Sequence, residues 1–147
     1  MTPPRTLHIL LVEDEPGDVG LMRMALKRSG FPLGLYCIED GLLALDCLRQ
    51  QGERFRHAPR PDLILLDLKM PGQGGLETLR AIKQNDDLRA IPVVVMTASA
   101  LEADVAAAYQ LGAAGFVQKP VDLNDFMAAI QTLGEYWFAL VRLPAKA

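Results

Sequence analysis

Leu63-Ile-Leu-Leu-Asp67-Leu-Lys-Met-Pro-Gly72 is an apolar run that stops at an acid and then at a Pro-Gly turn. A short, uninterrupted Leu/Ile run suits a strand covered on both faces, where no polar side has to alternate with the apolar one. Runs of the same kind recur at Leu7 to Val12, Leu35 to Ile38, Ile91 to Thr97 and Gly115 to Gln118, and with Leu63 to Asp67 they make five predicted strands.

Segments of helical period separate them. Val19, Met22, Leu26 and Ser29 repeat at helical spacing, and Gly30 follows as a C-terminal cap. Leu42, Leu45 and Leu48 mark a second helix, and Leu76, Leu79 and Ile82 a third. The alanine-rich stretch from Glu102 to Leu111, closed by Gly112, reads as a fourth. Leu123, Phe126, Met127 and Ile130 mark a fifth, with Asp122 as its N-cap. Strand and helix alternating five times predict an α/β domain, a doubly wound parallel sheet of (βα)5 order with helices on both faces.

Composition agrees with one such domain. The 147 residues are 50% hydrophobic and 22% charged, the balance of a chain that buries a core. No apolar stretch approaches the roughly 18 residues of a spanning helix, and the apolar region of a secretory signal is missing, so a cytoplasmic protein without a membrane span is expected. Fifteen basic against eighteen acidic residues give a net charge of −3, which repels a phosphate backbone and argues against direct nucleic-acid binding. Cys37, Cys47, His8 and His57 form no metal-ligand pattern, and the cysteines are expected reduced and structural. The connection from Gly52 to Pro61 is long and carries Arg54, Arg56 and Arg60 around Phe55. Solvated surface charge explains it at least as well as a docking loop does.

In a doubly wound sheet all strands point one way, so residues just past their C-terminal ends gather at one edge, where ligands bind. Here those ends carry Glu13-Asp14-Glu15, Asp67, Thr97 and Lys119-Pro120. Singly, each has a plain structural explanation: Asp14 as a helix cap, Asp67 as a turn residue, Thr97 as a strand residue, Lys119 as surface charge. Jointly they bring acids, a hydroxyl and an ammonium to one place. Crowding Glu13, Asp14 and Asp67 is electrostatically costly without a cation, and hard oxygen ligands suit Mg²⁺.

Four segments carry a resemblance: Ile9-Leu-Leu-Val-Glu-Asp14, Leu63 to Gly72, Val93-Val-Val-Met-Thr97-Ala and Gly115-Phe-Val-Gln-Lys-Pro120. Over about residues 6–134 the chain resembles a receiver domain of a two-component response regulator. The resemblance implies a flavodoxin-like fold of strand order 2-1-3-4-5, and a signalling protein, not an enzyme, in which Asp67 accepts a phosphoryl group from a histidine kinase. It implies that Glu13, Asp14, Asp67 and the backbone carbonyl of Lys69 hold Mg²⁺, and that Thr97 and Lys119 each bind a phosphoryl oxygen. The resemblance implies that Thr97 and Phe116 are the switch positions, an inward-drawn hydroxyl and an aromatic ring that follows it, which together reshape the face of the fourth helix, fifth strand and fifth helix; taken alone, Phe116 is equally well explained as a plain core aromatic. Glu13 stands where the family most often has Asp. The Lys69 side chain, two residues past the acceptor, can contact the phosphoryl group or pair with Glu13.

Residues 135–147 read as a helical extension too short to fold alone. Helical spacing continues from Ile130 through Leu133, Trp137 and Val141, with a bend possible at Gly134. Trp137, Phe138, Leu140 and Val141 form an apolar patch, which predicts a homodimer; the alternative is a tail folded back on its own domain. The single-domain form, the long loop before Asp62 and the ending Tyr136 to Pro144 are similar to small regulators that partner phytochrome-type histidine kinases. Two other classes compete. A flavodoxin-like FMN- or nucleotide-binding protein would use the same edge, but Glu13-Asp14-Glu15 offers acids where phosphate needs backbone donors. A receiver-like binding module that is never phosphorylated would not need the full set of acids, Thr97 and Lys119.

Overall fold

The computed structural model describes residues 6–69, 73–98, 101–119 and 122–139, and at 133, 134 and 136–139 the backbone only. The elements alternate as β1 Leu7–Val12, α1 Pro16–Arg28, β2 Leu33–Ile38, α2 Gly41–Leu48, a 3₁₀ turn Glu53–Phe55, β3 Leu63–Leu66, α3 Gly75–Gln84, β4 Val93–Thr97, α4 Glu102–Gln110, β5 Gly115–Gln118 and α5 Leu123–Ala139. The strands form one parallel sheet in the order β2-β1-β3-β4-β5. Both the doubly wound α/β class and the 2-1-3-4-5 order are therefore as expected.

Successive strand residues point to opposite faces, and the core divides accordingly. Leu10, Val12, Ile64, Leu66, Val93 and Val95 pack in the layer that includes residues of α2, α3 and α4. Leu7, Ile9, Leu11, Leu65 and Met96 face the other way, against Met22 and Leu26 of α1 and Phe126 and Ile130 of α5. Burial of β1 and β3 on both sides is why their sequences show no polar alternation. No helix among the described residues is long and apolar enough to cross a membrane.

Element boundaries differ from the sequence reading for local reasons. α1 begins three residues before Val19, with Pro16 in its first turn and Glu15, whose Oε1 accepts from the Gly17 amide at 2.9 Å, as N-cap. Asp14 is thus not the cap. β2 starts two residues early because Leu33 and Gly34 pair with Leu7 and His8. β4 starts two residues late, since the Ile91 amide donates back to Leu88 O and Pro92 has no N–H to donate. Gly30 has φ +79°, the left-handed conformation expected where α1 stops. Asp122 caps α5 as predicted, accepting from the Asn124 amide at 2.8 Å, and α5 is helical through position 134.

The connection from Gly52 to Pro61 is anchored in the core at a few points. Phe55 and Ala58 are buried, and Gln50 Nε2 donates to the Ala58 carbonyl at 2.7 Å. Arg54 lies 4.9 Å over the Phe55 ring and 3.5 Å from Glu39, while Arg56 and Arg60 are exposed. The charges are surface, as expected; the aromatic between them is an anchor, which composition did not reveal. Cys47 is buried, Cys37 half-buried, and both are free thiols.

Candidate functional site

The sheet sets the site through its last rungs. The Glu13 amide donates to Ile38 O of β2 at 2.9 Å, the Asp67 amide to Val12 O of β1 at 3.0 Å and the Lys119 amide to Thr97 O of β4 at 2.8 Å. Each residue stands one position past its strand yet keeps a ladder bond to the neighbouring chain. Four strand tips are therefore fixed side by side. Thr97 is itself the end of β4 and is fully buried.

Glu13, Asp14 and Asp67 each place a carboxylate oxygen within 4.8 Å of the others. Asp14 is exposed, whereas Glu13 and Asp67 are buried. Glu13 Oε2 accepts from the amides of Asp14 at 3.1 Å and Glu15 at 3.3 Å, and Asp67 Oδ1 accepts from the Lys69 amide at 3.2 Å. Lys119 crosses the cluster. Its Nζ meets Glu13 Oε1 in close contact, Asp18 Oδ2 at 2.8 Å and Asp67 Oδ2 at 3.4 Å.

These neighbours move the titration of both partners. Burial pushes the Glu13 carboxyl up, Lys119 pulls it back, and the adjacent Asp67 pushes it up again, leaving it at about 7 against an ordinary 4.5. Burial would lower the Lys119 ammonium, but the hydrogen bonds to Asp18 and Glu13 and the charges of Asp67 and Glu13 outweigh it and hold the group above its ordinary value. Lys119 is charged at neutral pH.

The structure thus brings together Glu13, Asp14, Asp67 and Lys119, and puts Thr97 on the adjacent strand tip. Three oxygen donors of a hard type are the set that a small divalent cation takes. Lys69 lies in the connection after β3 with its side chain exposed; Glu13 pairs with Lys119, not with Lys69. Phe116 is half-buried against the core layer on the α2–α4 side. Met70, Pro71, Gly72, Pro120, Leu140 and Val141 lie outside the described residues, as do the side chains of Trp137 and Phe138. Asp18 was missed by sequence reasoning. An acid in the first turn of a helix is ordinarily explained by the helix dipole, and the only hint was its spacing of four from Asp14.

Residues 9–131 match the family described as the response regulator receiver domain. The chain belongs to that family. It is 45% identical to response regulator Rcp1 of Synechocystis over 97% of this receiver and 95% of Rcp1. The structure of Rcp1 in a Mn²⁺-bound form superposes with a TM-score of 0.82, at 43% identity, over 97% of this receiver and all of that chain. The phosphorylated cyanobacterial phytochrome response regulator RcpA superposes with a TM-score of 0.85 at 37% identity, covering 96% and 100% of the two chains. The receiver domain of the sensor histidine kinase PA1611 from Pseudomonas aeruginosa, whose active-site cleft coordinates a magnesium ion, gives 0.71 at 27% identity over 91% and 98%. This receiver is a response-regulator signalling protein related to phytochrome response regulators, and metal-bound forms occur among its structural neighbours.

Proposed function

We propose that this receiver takes a phosphoryl group from a sensor histidine kinase onto Asp67. The observation that carries the reading is the meeting of Glu13, Asp14 and Asp67 in one cluster at the tips of β1 and β3, with the Lys119 ammonium set against Glu13 and Asp67. An Asp67 carboxylate oxygen attacks the phosphorus, the bond from phosphorus to the kinase imidazole breaks, and an acyl phosphate forms on Asp67. Glu13, Asp14, Asp67 and the Lys69 carbonyl are the groups that would hold Mg²⁺. The cation, when bound, screens the repulsion between carboxylate and phosphoryl group. Lys119 supplies a fixed positive charge for one phosphoryl oxygen, and the Thr97 hydroxyl a neutral donor for another. The protein's own contribution is positioning and electrostatics, as in phosphoryl transfer generally. It is a phosphoryl acceptor in the cytoplasm that assists its own phosphorylation and hydrolysis, not an enzyme acting on other substrates.

The added charge on Asp67, about 1.5 to 2 units, draws Thr97 inward, and Phe116 turns into the vacated space, altering the α4–β5–α5 face. That face already exposes Tyr109 and Val117. Residues 6–134 form the receiver, and 135–147 the extension through which two copies pair, using Trp137, Phe138, Leu140 and Val141. Similarity to RcpA supports a phytochrome-type kinase as the donor. Incubation with Mg²⁺ and acetyl phosphate, read by intact mass, tests the central claim. Wild type should gain roughly 80 Da, one phosphoryl group, and Asp67→Ala should gain nothing. Equal uptake by the two proteins would refute it.

A further inference from the structure

Lys119 faces three carboxylates, whereas the chemistry above uses only Glu13 and Asp67. The third is Asp18, from the first turn of α1, and at 2.8 Å its contact has the length of a well-made charge-assisted hydrogen bond. The contact to Asp67, at 3.4 Å, is the long one. An ammonium has three hydrogens, so Glu13, Asp18 and Asp67 together saturate it. A lysine stem is flexible, and keeping its head in one place costs rotamer freedom unless fixed partners hold it. Asp18 is such a partner, because α1 packs against both α5 and β2 through its buried face.

We propose that Asp18 is a positioning residue for Lys119. With Glu13 it holds the ammonium beside Asp67, so that only the third and weakest hydrogen bond is handed from the Asp67 carboxylate to the incoming phosphoryl oxygen. The inference rests on the receiver reading of the site. Two bonds persist through the transfer and the charge needs no reorganisation, which is the arrangement that electrostatic stabilisation favours. Without Asp18 the side chain keeps one firm partner, and Nζ gains the freedom to swing out over the exposed first turn of α1. A purely electrostatic role predicts the opposite sign, since removing a negative charge beside a phosphoryl dianion should speed uptake.

Asp18→Ala and Asp18→Asn separate these outcomes. Asparagine keeps an acceptor oxygen in the same place without the charge. With Mg²⁺ and acetyl phosphate, the rate of mass gain should fall about tenfold in Asp18→Ala, the scale of one lost charge-assisted hydrogen bond, and recover to within about threefold of wild type in Asp18→Asn. A second readout needs neither metal nor phosphoryl group: the ¹⁵Nζ ammonium resonance of Lys119, assigned by its loss in Lys119→Arg. It should be sharp in wild type and Asp18→Asn and broadened away in Asp18→Ala. Unchanged or faster uptake in Asp18→Ala overturns the proposal, and so does a Lys119 resonance that stays sharp in that variant. No mass gain by wild type would sink the proposed phosphoryl acceptance at Asp67 and this inference with it.

Discussion

Glu13 is a buried carboxyl whose proton is contested. Its folded value of about 7 lies above the ordinary 4.5, so between those values the native state binds more protons than the unfolded chain. The contribution of this group to stability is therefore whole below about pH 4.5 and is lost as pH rises through about 7. A divalent cation on Glu13, Asp14 and Asp67 must displace that proton, so binding should tighten as the carboxyl ionises. In thermal unfolding with and without Mg²⁺, the cation should raise the midpoint more at about pH 8 than at about pH 6, and Glu13→Gln should flatten the difference. An equal rise at both pH values in wild type would count against Glu13 as a ligand-bearing, proton-competing group. Glu13, Asp14, Asp67, Thr97 and Lys119 were legible in the sequence, because a residue that ends an apolar strand run has its place along the sheet edge set by chain position alone. Asp18 was not, because its role depends on which way the first turn of α1 faces.

At the scale of elements, the seating of α3 against the tip of β3 decides where Asp67 stands. The Gly75 amide donates to Leu68 O at 3.0 Å, and a Cβ at Gly75 would land on the Asp67 carbonyl and the Leu68 Cα, closer than real atoms approach. Backbone cannot yield as a flexible side-chain end can. Gly75→Ala should therefore destabilise the fold by about 1–3 kcal/mol, the usual cost of overpacking, measured from the urea midpoint. It should also slow phosphoryl uptake, because Asp67 moves with its carbonyl; a variant with unchanged stability and uptake would show that the α3 seat does not position the acceptor. Helix and strand cores were readable from periodicity. The N-cap of α2, Asp40, whose Oδ1 accepts from the Leu42 amide at 2.7 Å, was not, since nothing in the apolar pattern distinguishes it from a loop acid. Nor was the start of β2, where Gly34 has little strand preference and is extended because β1 offers it a ladder partner.

At the scale of the whole molecule, the proposed pairing of two copies rests on the end of α5. The helix reaches Ala139, and the sequence beyond Ile130 continues its apolar spacing through Trp137. If the extension pairs two copies, sedimentation equilibrium at micromolar concentration should give a dimer, and Trp137→Ala should weaken it at least about tenfold, as truncating a buried aromatic anchor does. A wild-type monomer, or a dimer indifferent to Trp137→Ala, would point to a tail folded on its own domain.

Alternation of apolar strands with helical segments was enough to specify a parallel doubly wound sheet and, through it, an edge carrying acids, a hydroxyl and a lysine. Parallel strands must end together, so a linear pattern becomes a shared edge without further information. Pairing of Lys119 with Asp18, separated by 101 residues, and the contact of Gly75 with the acceptor strand came from the folded coordinates. Both depend on helix rotation and on a fit between backbones, and these are settled by packing of the two core layers, which no local pattern of residues records.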